Sequence, residues 1–179
     1  MASRTGSPET NTTLWGMEYS ICPASKRVMD QLAAVFPSAA PASSAGLLVV
    51  PTCQRSDLDL VKTGEAVDDE KDRLLERFMQ WAVAVCGQLS SAGCWCDYID
   101  PCSGLPMLHK ESQTPYSEVE GLSLLLGYKT ANAGCCKVVL HPRWGTSVYP
   151  ATVFARASPE QLREAVRAAE EQLRAQGAE

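Results

Sequence analysis

No stretch of this 179-residue chain approaches the roughly 20 consecutive apolar residues that a helix needs to cross a bilayer, so no membrane span is expected. Lysine and arginine never cluster: 16 basic residues stand against 21 acidic ones, for a net charge of −5. Nucleic acid and anionic membrane surfaces both need a concentrated basic footprint, and neither is expected as a partner. Glycine-rich phosphate loops are missing as well. Neither G-x-x-x-x-G-K-[ST] nor G-x-G-x-x-G occurs, which removes the main support for a nucleotide-dependent enzyme.

Metal and nucleophile motifs are equally sparse. The chain has two histidines, His109 and His141, and no C-x-x-C pair. A structural zinc site wants about four Cys/His ligands, commonly paired in that way, and is not expected. A cysteine–histidine dyad is disfavoured too. His141 lies six residues beyond Cys135, about 20 Å away along an extended strand at roughly 3.3 Å per residue. Residues Met1 to Thr13 are polar, with one arginine (Arg4) and no apolar centre. They read neither as a secretory signal nor as a good mitochondrial leader, and a cytoplasmic setting is expected. In a reducing compartment the eight cysteines (22, 53, 86, 94, 96, 102, 135 and 136) read as free thiols, metal ligands or redox centres rather than disulfides.

What is present is an ordinary globular composition, 45% hydrophobic and 21% charged, in a chain long enough to bury a core without staples. Pro23 to Phe36 is expected as a helix, with Val28, Met29, Leu32, Val35 and Phe36 at helical spacing and Pro23 in the first turn. Residues 37–44 form a Pro/Ala/Ser-rich connector. Gly46 to Thr52 is a continuous apolar run of strand length, buried on both faces, and Leu58 to Val61 is a candidate second strand pairing back as a hairpin. Asp69 to Ser91 is the clearest helix, with Leu74, Phe78, Ala82, Val85 and Leu89 on one stripe. Cys94 to Asp100 is strand-like and leads into the turn Asp100-Pro101-Cys102-Ser103-Gly104. Met107 to Glu120 reads as a polar loop, and Gly121 to Tyr128 fits either a short helix or a strand. Gly134 to His141 and Thr146 to Ala155 are expected strands. Ser158 caps a last helix, Pro159 to Ala175. The fold expected is α+β, a mostly antiparallel sheet flanked by helices. A tail (1–18), a domain (19–158) and a C-terminal helix (159–179) divide the chain.

Two constellations carry possible chemistry. Asp97 and Asp100 fall on opposite faces of their strand, and Asp100 before a proline suits a turn, so they need not converge. Gly134-Cys135-Cys136-Lys137 is more informative. On a continuous strand the adjacent thiols point to opposite faces, so Cys136 would be buried while Cys135 is presented. Lys137 would then share a face with Cys135 and favour its thiolate, and Gly134 would leave room for a bulky group. A thiolate is a soft ligand for soft or borderline transition metals. The same residues fit two small buried hydrophobes, the commoner state of free cysteines and the reading the local chemistry favours without excluding the other.

A family resemblance joins these blocks. The run Leu74 to Asp100 (LLERFMQWAVAVCGQLSSAGCWCDYID) with Pro101 to Leu105, then Leu126-Gly127-Tyr128, Ala133 to Val139 (AGCCKVV) and His141 to Thr146 (HPRWGT), resembles the CblD family of cobalamin trafficking proteins. Cys22-Pro23 and Phe36-Pro37 fit the same pattern, and the blocks stay in order over roughly residues 20–160. Cys53, Cys96 and Cys102 stand where the family has other residue types. The resemblance implies a nitroreductase-like α+β fold without flavin and a non-enzymatic adaptor. It also implies binding to a CblC-like cobalamin-processing partner, with cobalamin passed toward methionine synthase or methylmalonyl-CoA mutase. Within the GCCK block the resemblance implies Cys135 as the ligand to cobalt of cobalamin held on that partner, with Gly134, Cys136 and Lys137 around it. A flavin-dependent reductase on the same fold, and a thiol redox protein using Cys94/Cys96 or Cys135/Cys136, are the rival expectations.

Overall fold

A computed structural model describes residues 8–39 and 46–177. The central element is β4 (Leu47–Arg55), the apolar run of the sequence, in which Leu47 through Gln54 are all buried. It pairs antiparallel over its whole length with β8 (Val148–Arg156), from Leu47 opposite Arg156 to Arg55 opposite Val148. Outside this pair lie β1 (Thr10–Thr12) and β2 (Glu18–Ser20) on the β4 side and β5 (Cys96–Tyr98) on the β8 side. The order is β1-β2-β4-β8-β5, with β3 (Cys22–Pro23) also against β4. Every pairing is antiparallel. The α+β sheet expected from the sequence is therefore present.

Successive residues of a strand face opposite ways, and this sorts the core into two layers. Leu48, Val50, Val153 and Ala155 pack against α2 (Glu65–Ser91) and α4 (Pro159–Ala175), through Phe78, Trp81, Val85, Leu89, Leu162 and Val166. Leu47, Val49 and Phe154 face the other way, against Val28, Leu32 and Phe36 of α1 (Lys26–Val35) and its end. The Phe154 ring lies 5.1 Å from Phe36 and 5.2 Å from Tyr116, both edge-on. On that second face a smaller unit continues from α3 (Glu118–Leu126) into the hairpin β6 (Lys129–Ala133) and β7 (Cys136–Leu140).

Several expectations are corrected. Pro23 does not open a helix: it pairs with Leu48 as part of β3, and α1 begins after Ser25, whose side chain accepts the Val28 N–H. Leu58 to Val61 is no strand, because Asp59 accepts the Val61 N–H and the Thr146 hydroxyl, folding the segment into a turn. Residues 10–12, expected in a flexible tail, form an edge strand, while residues 1–7 and 40–45 lie outside the described residues. α2 starts at Glu65, four residues early. Of the ambiguous 121–128 segment, residues 121–126 are helical, in an α3 that starts at Glu118 within the expected loop, because Ser117 caps it and Gly127 closes it at φ 68°. The Cys94 to Asp100 strand is confined to Cys96–Tyr98.

α4 has the Ser158 cap and leading proline read from its sequence, and Gln161 completes them as a capping box. Ser158 Oγ accepts the Gln161 N–H, and Gln161 Oε1 accepts the Ser158 N–H in return, with Pro159 at the first helical position. Ser158→Ala is expected to cost about 1 kcal/mol. A thermal melt reads that as a drop of about 2–4 °C for a chain of this size.

Candidate functional site

Gly134 and Cys135 are the two residues that join β6 to β7, with Ala133 opposite Cys136 across the turn. Gly134 has φ 62°, and no residue other than glycine has a positive φ among those described. This is the sign pattern of a type II′ hairpin turn, which places glycine first. The expected strand from Gly134 is thereby corrected: it begins at Cys136, and Cys135 sits at the apex. The sequence held the signal, since a two-residue Gly-x step between KTANA and CKVVL is a hairpin signature. The polar β6 is what hid it.

The turn changes the relation between the two thiols. Cys135, Cys136 and Lys137 are all exposed, so burial of Cys136 on the far face of the sheet does not occur. The sulfurs lie 3.8 Å apart. Hydrogen bonding to Cys135, and then the charge there, push the Cys136 thiol up from its usual range. Cys135 shares no strand face with Lys137, because it lies in the turn. Lys137 instead lines two clefts, one of about 190 Å³ with Val119, Val139, Val148 and Tyr149 and one of about 270 Å³ with Gln31 and Glu120.

The hairpin is fixed at its base and free at its tip. Val139 is buried against Cys53, Leu122 and Val148. Three residues of strand separate it from Cys136, so the tip stands about 10 Å beyond its anchor. Beyond β7 the HPRWGT block forms a second clamp. His141 is buried, accepts the Arg143 and Trp144 N–H groups on Nδ1, and donates from Nε2 to Glu18 Oε2 at 3.0 Å. Its ring stacks on Trp144 at 3.9 Å and 11°. Arg143 pairs with the other oxygen of Glu18. Burial lowers the His141 pKa, which suits the neutral ring that this bonding pattern needs. Glu18, which the sequence reading left in the tail, ties the hairpin base to β2.

The remaining residues singled out from the sequence serve local structure. Asp97 accepts the Tyr98, Met107, Leu108 and His109 N–H groups and contacts His109 Nδ1 at 3.0 Å. Asp100 accepts the Cys102 and Ser103 N–H groups and the Ser103 hydroxyl. The two carboxyls do not act together. Among the described residues, no hydrogen bond links either histidine to Cys135 or Cys136, no group of three or more metal-ligating side chains occurs, and no helix is long and apolar enough to cross a membrane. A metal centre at the hairpin tip can therefore draw on one or two thiols of this chain and needs its other ligands from elsewhere.

Residues 3–166 match the family profile described as Methylmalonic aciduria and homocystinuria type D protein. The chain belongs to that family. The match spans both faces of the sheet and the whole hairpin. Curated relatives agree with it: the human protein named Cobalamin trafficking protein CblD is 33% identical over 114 residues. That alignment covers 64% of this chain and 38% of the human one. The protein of the same name from Gallus gallus is 34% identical over 114 residues, and that from Rattus norvegicus 32% over 126 residues, 70% of this chain and 42% of the rat one. The chain thus spans about two fifths of the length of the curated relatives it matches.

Proposed function

We propose that this chain is a non-enzymatic cobalamin trafficking adaptor. It docks on a cobalamin-loaded, CblC-like processing protein and offers the Cys135 thiolate to cobalt. The observation that carries the reading is the exposed thiol pair at the apex of a hairpin anchored in the core. Cobalt in a corrin ring bound by another protein is reached only along the axis of the ring. A narrow, protruding tip suits that approach better than a flat surface would. A thiolate is a soft donor that a borderline first-row metal accepts, and the missing ligands come from the corrin. Membership of the family and the name carried by its curated relatives supply cobalamin as the cargo. Delivery toward methionine synthase or methylmalonyl-CoA mutase, in the cytoplasm or beyond it, is the role this adaptor serves.

The nitroreductase-like descent implied by the resemblance fits the antiparallel sheet with helices on both faces, and no flavin is needed for the adaptor role. Purified protein is expected to be colourless. Mixing it with the partner loaded with cob(II)alamin should shift the visible spectrum as sulfur enters the cobalt sphere. Cys135→Ser should abolish that shift while leaving complex formation intact in a pull-down. A serine variant that shifts the spectrum as wild type does overturns the ligand assignment.

A further inference from the structure

The two sulfurs at the hairpin apex are close enough to react with each other, and nothing around them resists it. They lie 3.8 Å apart, both exposed, against about 2.05 Å in a disulfide. Rotation of two surface side chains covers most of that difference. A Cβ built on Gly134 would meet no atom within 4 Å, so the turn stands in open space and can reshape without disturbing the core. Cys86 and Cys96 also hydrogen-bond to each other, but that pair is buried, as are Cys22 and Cys53, while Cys94 and Cys102 flank β5 and lie outside the hairpin.

We propose that Cys135 and Cys136 form a reversible modification site, in which a peroxide oxidises the pair to a disulfide between adjacent residues. The Cys135 thiolate attacks one peroxide oxygen, the O–O bond breaks, and hydroxide leaves a sulfenic acid on Cys135. The Cys136 sulfur then attacks the Cys135 sulfur; the S–O bond breaks, the S–S bond forms, and water departs with the Cys136 proton. In total two thiols and one hydrogen peroxide give one disulfide and two waters. Adjacent Cα atoms across a trans peptide are about 3.8 Å apart, short of the roughly 4.4–6.8 Å usual for disulfides. The bond is therefore strained as well as exposed, which marks the labile class. Glutathione reopens it, giving both thiols and glutathione disulfide. Resting on the adaptor reading is one consequence: closure withdraws both sulfurs from cobalt and silences the adaptor under oxidising conditions.

The test uses the reduced full chain and one equivalent of hydrogen peroxide, followed by intact-mass measurement and peptide mapping. A loss of two hydrogens mapped to the peptide holding Cys135 and Cys136, reversed by glutathione, is the expected result. Cys136→Ser should stop at a Cys135 sulfenic acid that dimedone captures. Linkage to Cys94 or Cys102, a covalent dimer, a Cys135 sulfinic acid beside a free Cys136, or an unreactive pair each overturns the site. The mass readout needs no cobalt. If the disulfide forms but reduced wild type gives no cob(II)alamin shift, the adaptor reading fails and the modification site stands. If reduced protein shifts the spectrum and the oxidised protein does so equally, the silencing consequence fails.

Discussion

Replacing Asp97 by alanine is expected to cost about 3 kcal/mol of stability, a large effect for a residue with no part in the thiol site. The side chain is fully buried, and its two oxygens gather the loop that follows β5. Oδ1 accepts the N–H groups of Tyr98, Met107 and Leu108 at 2.7, 3.1 and 2.9 Å, and Oδ2 accepts that of His109 at 2.7 Å. In the alanine variant the Met107 N–H keeps a second acceptor, the Tyr98 carbonyl. Those of Tyr98, Leu108 and His109 lose the carboxyl. A buried donor left unsatisfied costs about 1–3 kcal/mol, and water reaching the half-exposed loop recovers part of the total. With a urea slope of about 2 kcal/mol/M, the unfolding midpoint should fall by about 1.5 M. Asp97→Asn keeps one acceptor oxygen and should fall in between. A midpoint unchanged in the alanine variant would show that the loop is held by other contacts.

The second large effect is a dependence on pH set by Glu118. This first residue of α3 turns its carboxyl inward. Oε2 accepts the Thr152 hydroxyl at 2.5 Å, while Oε1 is shut off from solvent with no partner among the described residues. Among the described residues no cation offsets the burial. The titratable groups around it are Tyr116, whose hydroxyl is also buried, and Cys53. Burial, with the Glu118 charge beside it, pushes the Cys53 thiol up to about 12. Desolvation raises the Glu118 pKa from 4.5 to about 7. A carboxyl whose pKa is raised on folding is held most favourably while protonated in both states, below pH 4.5. That contribution is lost as pH rises through 7, where the folded protein must bury a charge. The 2.5-unit difference corresponds to a loss on the order of 3 kcal/mol. Glu118→Gln removes the titration. Its stability relative to wild type should therefore climb by that order between pH 5 and pH 8, measured by urea unfolding at each pH. A constant difference across the range would show that Glu118 stays ionised throughout.

The parts of this fold that the sequence discloses are those governed by local chemistry. α4 is legible because Ser158 and Pro159 encode its start in two adjacent residues. α2 is legible because Leu74, Phe78, Ala82, Val85 and Leu89 repeat at helical spacing, and β4 because an apolar run of that length suits only a strand covered on both faces. The rest depends on partners distant in sequence. β1 and β2 are three residues each and exist as strands only because β2 pairs with β4 and β1 with β2. β6 is polar and has no alternation to reveal it; its evidence is the partner strand and the Gly-Cys step. The Leu58 to Val61 segment looked like a strand by composition, but Asp59 and Thr146 bend it into a turn.

The candidate site divides in the same way. The block Gly134 to Lys137 was visible, and so was its link to a family, but the relation between the two thiols was not. Strand alternation would have buried Cys136 and presented Cys135 alone. A turn shifted by one residue exposes both and sets them within reach of each other. Two clamps hold the hairpin, Val139 in the core and Glu18 with His141 and Arg143; the second joins segments more than a hundred residues apart, and no local pattern marks either.

The proposed role of Cys135 is to become a cobalt ligand on a partner-bound corrin, and cobalt K-edge absorption on the complex of this protein with its cobalamin-loaded partner reads that bond. One sulfur scatterer is expected at roughly 2.3 Å, a usual distance from a first-row metal to a thiolate, present with wild type and with Cys136→Ser and gone with Cys135→Ser. A cobalt shell of nitrogen and oxygen alone in the wild-type complex, with the proteins demonstrably bound, would contradict it.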